Sequence, residues 1–321
     1  MKKIYISKTF LPPLSEYEKY LKQLWKTHVL TGQDGPLVTK LEERLKKYWG
    51  VRNVVCVSNG TTALLLLLKA YGIKELQLSA NSFVATGAAP TFLGIKTHWL
   101  DMGTDYSPKL PTLITHLYGI PHYGRGEPLI YDASHAFTNK PLFQLGDASI
   151  ISFSAVKIFQ TGEGGAVVTK HDDLAQKILE MRCYGQKERG VYGNLGINGK
   201  MSELHAAMGL TALPHVAKVR SRLDSIIKYY DGEFGFAHTP GLLYYPVYLR
   251  DHKVVQEAIK DFESNGIYPR RYLYPPLNKV YGGRSCPVFE DLMSRVLALP
   301  LHYYLTEPDI KRIIKIAKRH L

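Results

Sequence analysis

The chain is predicted to fold as an α/β protein built on a mostly parallel central sheet, with a small C-terminal α/β lobe. Three observations predict this. From Val51 to about Met181, short apolar runs alternate with turns and helical stretches. Two amphipathic helical patterns precede that region, and helical stretches around one apolar run, Leu242–Leu249, follow it.

In order along the chain, Ser15–Thr27 places Tyr17, Tyr20, Leu21, Leu24 and Trp25 on one helical face. Pro36–Trp49 repeats the pattern with Leu37, Leu41, Leu45 and Tyr48, and Gly50 stops it. Val54–Ser58 then reads as a strand, Asn59 as a tight turn, and Gly60-Thr61-Thr62-Ala63 as the start of a helix. Leu129–Asp132 is a second short strand ending in a carboxylate, and Ile151–Lys157 a third, ending in a lysine before a glycine-rich turn at Thr161–Gly165. The links Met102–Pro111 and His122–Pro128 are too short for a crossover helix between parallel strands, so the sheet is expected to be uncovered there or covered by a partner. After Ala207 come a helical stretch to Tyr230, a helix over Val254–Asn265, and a last helix that buries Ile310, Ile313, Ile314 and Ala317. The expected division is 1–207 for the N-terminal helices and large domain and 208–321 for the small one. No repeat or low-complexity tract interrupts this organisation.

Composition narrows the class. With 321 residues, 45% hydrophobic and 21% charged, the chain can bury a substantial core. Its longest strongly apolar stretch, Ala63–Leu68, falls far short of the roughly 20 residues a membrane helix needs. The basic start, Met1–Pro13, has no sustained apolar stretch and does not read as a secretory signal. Cys56, Cys183 and Cys286 are odd in number and widely spaced, which favours neither a disulfide framework nor a metal cluster and fits a reducing cytoplasm. The formal charge of +13 raises nucleic-acid binding as a reading. Against it, the basic residues are scattered along amphipathic segments such as Lys40–Lys47 and Asp309–Arg319, where they form solvated faces. A positive surface would equally attract a diphosphate-linked sugar.

Three segments carry chemistry. The Lys157 amine can form an imine with an aldehyde if burial keeps it nucleophilic. Asp132 can hold a protonated ring nitrogen, and the helix start at Gly60 and Thr61 offers free N–H groups to a phosphate. Together they point to pyridoxal 5'-phosphate. Each has a plainer alternative: a surface lysine, a helix-capping aspartate, a threonine N-cap.

The segments Asn59–Leu64, Asn81–Thr86, His116–Gly119, Asp132–Ala136, Ser152–Lys157, Thr161–Gly165, Gly196–Ala207 and Pro275–Asn278 resemble, in order, those of the DegT/DnrJ nucleotide-sugar aminotransferases, which have the type I fold of pyridoxal phosphate enzymes. The resemblance implies that Lys157 bonds the cofactor, that Asp132 partners the pyridine nitrogen, and that Phe83 stacks on the ring. It places His135 beside the ring's phenolic side and makes Gly60, Thr61 and Ser152 phosphate ligands. Asn198 matches an asparagine that reaches the phosphate of a neighbouring subunit, which implies a homodimer with shared sites. Plainer roles remain open: core for Phe83, a buried histidine for His135, a strand-edge hydroxyl for Ser152 and a turn residue for Asn198.

The resemblance also bears on substrate. Relatives that dehydrate their sugar carry histidine at the lysine position, so Lys157 favours amination. Lys200 stands where arginine is common and Asn278 where histidine is common; with Tyr184 they are the candidate substrate contacts. Phe10–Leu14 through Leu30–Pro36 look most like enzymes that aminate C4 of a dTDP-linked 4-keto-6-deoxyhexose, with L-glutamate as expected donor, for O-antigen or other glycan synthesis. A C3 aminotransferase, and a non-catalytic cofactor- or sugar-sensing protein on the same fold, are the alternatives. The shortened links depart from the family, whose members usually carry a helix there.

Overall fold

The computed structural model describes residues 2–31, 35–193, 195–238 and 241–321. Met1, and Gly32 to Asp34 within the Leu30–Pro36 stretch, lie outside them. The large lobe runs β1 (Ile4–Tyr5), α1 (Leu14–Thr27), α2 (Pro36–Trp49), β2 (Asn53–Val57), α3 (Gly60–Tyr71), β3 (Glu75–Ser79), α4 (Val84–Phe92), β4 (Lys96–Leu100), β5 (Thr112–Thr115), β6 (Leu129–Asp132), β7 (Ala148–Ser152), β8 (Gly165–Thr169), α5 (Asp172–Met181), β9 (Gln186–Glu188), β10 (Val191–Tyr192) and α6 (Glu203–Ala212). The small lobe adds α7 (Val216–Phe234), β11 (Tyr245–Tyr248), α8 (His252–Ser264), β12 (Ile267–Tyr268), α9 (Leu277–Val280), α10 (Pro287–Arg295), β13 (Val296–Leu299) and α11 (Glu307–Ala317). The expected division after Ala207 falls within α6.

Among the described residues the main sheet has seven strands in the order β2-β8-β7-β6-β5-β3-β4. Neighbours from β7 to β4 pair in parallel, while β8 runs antiparallel to both β2 and β7. Because β8 reverses, β2 points the same way as β5, β6 and β7, and the carboxyl ends of all four meet at one edge. Ligands of open α/β sheets bind at that edge.

Both faces of the sheet are covered, which explains why its central strands are apolar runs and not alternating ones. On one face Leu64 and Leu67 of α3 and Ile178 of α5 pack on Val55, Leu78 and Leu113. On the other, Leu41, Leu45 and Trp49 of α2 and Leu210 of α6 pack on Val54, Ile151 and Val168. A third cluster fills the small lobe around Tyr230, Val247, Phe262 and Ile313, and includes Ile4 from β1, which pairs in parallel with β12. The small lobe therefore takes its partner strand from the start of the chain.

Two expectations need correction. Of the face read for α1, Leu24 is buried and Tyr17, Tyr20 and Leu21 pack partly buried against the core, but Trp25, at the edge of that face, is 69% exposed. The lysine strand ends earlier than expected: β7 stops at Ser152, and Lys157 sits in the turn that follows. The shortened links match expectation, since 101–111 contains no helix and 116–128 only a single turn at Leu117–Gly119. What covers the first is part of the chain itself. The Asp101 carboxylate accepts hydrogen bonds from the N–H groups of Val288 and Phe289, both 2.9 Å, and so caps the start of α10.

Candidate active site

A cavity of about 480 Å³ opens at the carboxyl edge of the sheet. Its walls include Gly60, Thr61, Phe83, Asp132, His135, Ser152 and Lys157, so seven of the sequence-predicted residues converge there from separate segments.

The first wall is the start of α3. Asn59, not a threonine, is the N-cap: its side-chain oxygen accepts from Thr62 N–H at 2.8 Å, and its carbonyl accepts from Ala63 N–H at 3.1 Å. Those bonds use the third and fourth N–H groups of the helix and leave the first two, of Gly60 and Thr61, for another acceptor. Gly60 is required by space. A Cβ there would lie 2.9 Å from Ser152 Cβ and 3.3 Å from Ser152 Cα, so the end of β7 could not approach the helix start.

The second wall is Asp132 at the end of β6, 4% exposed. Thr86 Oγ1 donates to Asp132 Oδ2 at 2.8 Å, and Ser134 N–H to Oδ1 at 3.0 Å. Thr86 in turn accepts from Ser82 Oγ at 2.8 Å, and Ser82 lies 2.6 Å from Thr115 Oγ1. A row of hydroxyls from β5 and the start of α4 thus fixes the carboxylate, yet both of its direct partners are neutral.

His135 stands beside it, 7% exposed. Tyr118 N–H donates to His135 Nδ1 at 3.1 Å, which makes Nδ1 an acceptor and puts the ring proton on Nε2. Burial, then the nearby Lys157 charge, hold its pKa well below the usual histidine value, so the neutral ring is the state present near pH 7. Its remaining donor is Nε2–H.

Lys157 completes the centre. Burial lowers its pKa to about 8, against the opposing pull of the Asp132 charge. A lysine shifted this far holds a useful fraction of free amine near neutrality. Phe83, at the N-terminus of α4, is 44% exposed at the mouth.

Sequence reasoning missed the wall contributed by the small lobe. Tyr244, Arg270 and Tyr272 line the same cavity, and the rings of Tyr244 and Tyr272 lie 4.1 Å apart. Tyr244 is buried and its pKa is raised well above the usual phenol value, first by burial and then by Tyr272. Arg270 and Tyr272 belong to the run Ile267–Asn278, whose basic and aromatic residues were the available signal.

Four predicted residues lie elsewhere. Asn198, Lys200 and Tyr184 form a separate group on exposed loops, where Lys200 Nζ donates to Asn198 Oδ1 at 2.7 Å and sits 4.3 Å over the Tyr184 ring. Asn278 is 2% exposed, and its amide donates to the Arg284 carbonyl at 3.1 Å and to Glu290 Oε1 at 2.8 Å. It ties α9 to α10.

These residues fit pyridoxal phosphate: two uncapped helix N–H groups with hydroxyls for the phosphate, a glycine without which strand and helix would collide, a buried carboxylate whose hydrogen-bond partners are both neutral, and a lysine of lowered pKa. Among the described residues, no group of histidine, cysteine and acidic side chains is placed to hold a metal, and no helix is long and apolar enough to cross a membrane.

Comparison with known proteins agrees. The family model of the DegT/DnrJ/EryC1/StrS aminotransferase family matches residues 15–114 and 124–318, and the unmatched 115–123 take in the last residue of β5 and the first part of the link to β6. A dTDP-4-amino-4,6-dideoxy-D-glucose transaminase of Shigella dysenteriae is 28% identical, covering 98% of this chain and 98% of its own. The crystal structure of DesI in the presence of its TDP-sugar product superposes with a TM-score of 0.89 at 26% identity, covering 99% of this chain and 93% of that one. The pyridoxal phosphate form of Spr1654 from Streptococcus pneumoniae, called a putative sugar aminotransferase, has a TM-score of 0.87 over 100% of both chains at 19% identity, a likeness of fold alone.

Proposed function

The chain belongs to the DegT/DnrJ/EryC1/StrS aminotransferase family, and from that premise we propose that it transfers an amino group from an amino acid, L-glutamate in our reading, to C4 of a dTDP-linked 4-keto-6-deoxy sugar. It is a pyridoxal phosphate-dependent sugar aminotransferase by family and fold. The observation that carries the residue assignments is the convergence of Lys157, Asp132 and the uncapped start of α3 on one cavity. The C4 and dTDP parts rest on the name of the Shigella relative, which aligns over 98% of its length, and on the TDP-sugar of DesI.

When bound, the cofactor supplies an aldehyde that can accept the amine and a protonated ring that draws electrons from the carbon beside it. In this reading the chain's residues do the rest. Gly60 and Thr61 N–H, with the Thr61 and Ser152 hydroxyls, hold the phosphate at the positive end of α3. Asp132, kept in place by Thr86, holds the proton on the ring nitrogen. His135 would offer Nε2–H to the ring's phenolic oxygen, and Phe83 would pack against the ring. Lys157 Nζ would be the amine that bonds the aldehyde at rest and, once the donor displaces it, the base that takes the proton from the donor's alpha carbon and the acid that gives it back. The donor would leave as its keto acid with uptake of one water, and a keto sugar would then take the amine with release of one water, Lys157 moving the proton in the opposite sense.

We further propose a homodimer in which Asn198, with Lys200 and Tyr184, serves the neighbour's cavity. Supporting this, the surface around that group exposes Val191, Tyr192, Leu195 and Ile197, and Phe83, Val84 and Val156 are exposed near the cavity. The direct test is turnover with glutamate against a panel of dTDP-, UDP- and GDP-linked 3-keto and 4-keto sugars, with the product position read by NMR. A C4 amine formed fastest from the dTDP sugar is expected, and preferential C3 amination or no turnover across the panel would overturn the reading.

A further inference from the structure

Beside the Lys157 cavity lies a second one, of about 280 Å³, walled by the carboxyl ends of β3 and β5 and roofed by Leu292 of α10 and Tyr248 of β11. β3 and β5 are neighbours in the sheet, yet the chain leaves β3 toward β4 on one side and β5 toward β6 on the other. A reversal of this kind opens a crevice, and open α/β sheets hold ligands in such crevices. The links after β4 and β5 place no helix over it, and its walls include residues of 115–123, an internal stretch that the family model does not match.

The walls say what would fit. Among the described residues they contain no lysine or arginine, while Asp101 supplies a carboxylate. Asp101 Oδ1 accepts from the N–H groups of Met102 and Phe289, but Oδ2 accepts from Val288 N–H alone, each at 2.9 Å, so Oδ2 has a lone pair for a further donor. Asn81 Oδ1 and the Tyr118 hydroxyl are buried with no hydrogen-bond partner among the described residues. Native structures seldom leave buried polar atoms unpaired, and a molecule bringing donors into the cavity would satisfy them. Tyr106, Tyr248 and Phe289 add aromatic surface for a flat ring. A phosphate or carboxylate would meet an anion and no cation, which sets this cavity apart from the places for the cofactor, the nucleotide sugar and the amino donor.

Two contacts join it to the first cavity. Thr115 lines both, and its Oγ1 heads the row of hydroxyls that runs through Ser82 and Thr86 to Asp132. Tyr118 lines the second and gives its N–H to His135 Nδ1. We propose that this cavity is a separate ligand site for an uncharged planar heterocycle bearing amino N–H donors, of nucleoside size, and that its occupancy acts on Asp132 through Thr115. The binding stands without the aminotransferase reading above; the effect on Asp132 rests on it.

The experiment uses the cofactor-loaded protein with dTDP at saturation, so that a nucleotide-sugar site is already filled, and measures binding of adenosine, cytidine, inosine, uridine and AMP by calorimetry. Adenosine or cytidine is expected to bind about 10-fold more tightly than its counterpart inosine or uridine, in which a carbonyl replaces the amino donor, and AMP is expected to bind more weakly than adenosine by at least that factor. Asn81→Leu and Tyr118→Phe should each weaken the favoured nucleoside about 10-fold. Leu292→Trp, which fills the cavity, should abolish binding and leave the donor half-reaction at the wild-type rate. The favoured nucleoside should also shift the absorption of the bound cofactor, and Thr115→Val should remove that shift while retaining binding. No binding of either amino nucleoside, a preference for AMP, or binding that survives Leu292→Trp and both point deletions unchanged would overturn the site. Binding with no spectral shift in wild type would overturn its action on Asp132. Wild type that reacts with no amino donor would overturn the aminotransferase assignments instead and leave the binding result to stand by itself.

Discussion

The cavity around Lys157 and the exposed group of Tyr184, Asn198 and Lys200 contain residues of the same kinds, yet they differ in completeness. Around Lys157 the charged and polar groups are buried and tied to the backbone: Asp132 by Thr86 and Ser134, His135 by the Tyr118 N–H. In the exposed group Lys200 and Asn198 bond mainly to each other, and Tyr184 is 49% exposed. The first group is held by contacts within its own chain, and the second has a face left over. The difference teaches that membership of a recognised sequence segment does not by itself bring a residue to the cavity: Asn198 and Lys200 lie in such a segment and stand apart from it.

The largest expected effect tests the first region. Lys157→Ala should lower transamination by at least about 10³-fold, because one amine supplies both the covalent bond and the proton shuttle. The variant should stay folded and still hold the cofactor noncovalently through the α3 end. The shifted pKa gives this a second readout. In cofactor-free wild type, the rate at which Lys157 captures an aldehyde should rise with pH and level off above about 8, since the free amine is the nucleophile and its pKa is lowered to about that value. A profile still climbing toward the ordinary lysine range, or an alanine variant with wild-type turnover, would remove the contrast between this lysine and a surface one.

A smaller loss is expected from Asp132→Asn, on the order of 10²-fold in kcat, with cofactor occupancy little changed. The amide can still accept from Thr86, so the hydroxyl row survives while the charge that keeps the ring nitrogen protonated is gone. The absorption spectrum of the bound cofactor reads occupancy and steady-state kinetics reads turnover. Equal falls in both would mean that Asp132 anchors the cofactor and does not tune it.

How much of this was legible follows from where the chemistry sits. Lys157, Asp132 and Gly60 lie in short contiguous segments at strand ends, and a strand end next to a turn can be recognised from the local pattern of apolar run and glycine. The short links were legible too, because chain length alone forbids a crossover helix; the helix α10 covering one of them was not, since Asp101 and Phe289 are far apart in sequence. Tyr244 and Arg270 reach the cavity only through the packing of the small lobe; Thr86 and Tyr118 lie in recognised segments, but their bonds to Asp132 and His135 join residues 46 and 17 positions apart, which no local pattern reveals. Trp25 failed for the opposite reason: its period fits the apolar face of α1, but it lies at the edge of that face and only Leu24 is fully buried.

The smallest effect, and the one that most sharpens the comparison, concerns Asn198. If it completes the neighbour's cavity, each site of the dimer draws on both chains, as a two-fold interface allows. Asn198→Ala alone should cost about 10-fold, the loss of one hydrogen bond to a charged phosphate. Mixing it with the Lys157→Ala chain under conditions of subunit exchange yields hybrids in which one site carries both lesions and the other neither. Random pairing of equal amounts makes half of the dimers hybrid, so activity should climb toward about a quarter of wild type, above the average of the two parents measured separately. Exchange is confirmed by mass labelling of one parent. Hybrids that show only that average would place Asn198 in the service of its own chain, and the exposed group would then be a loop cluster whose polar residues are content with one another.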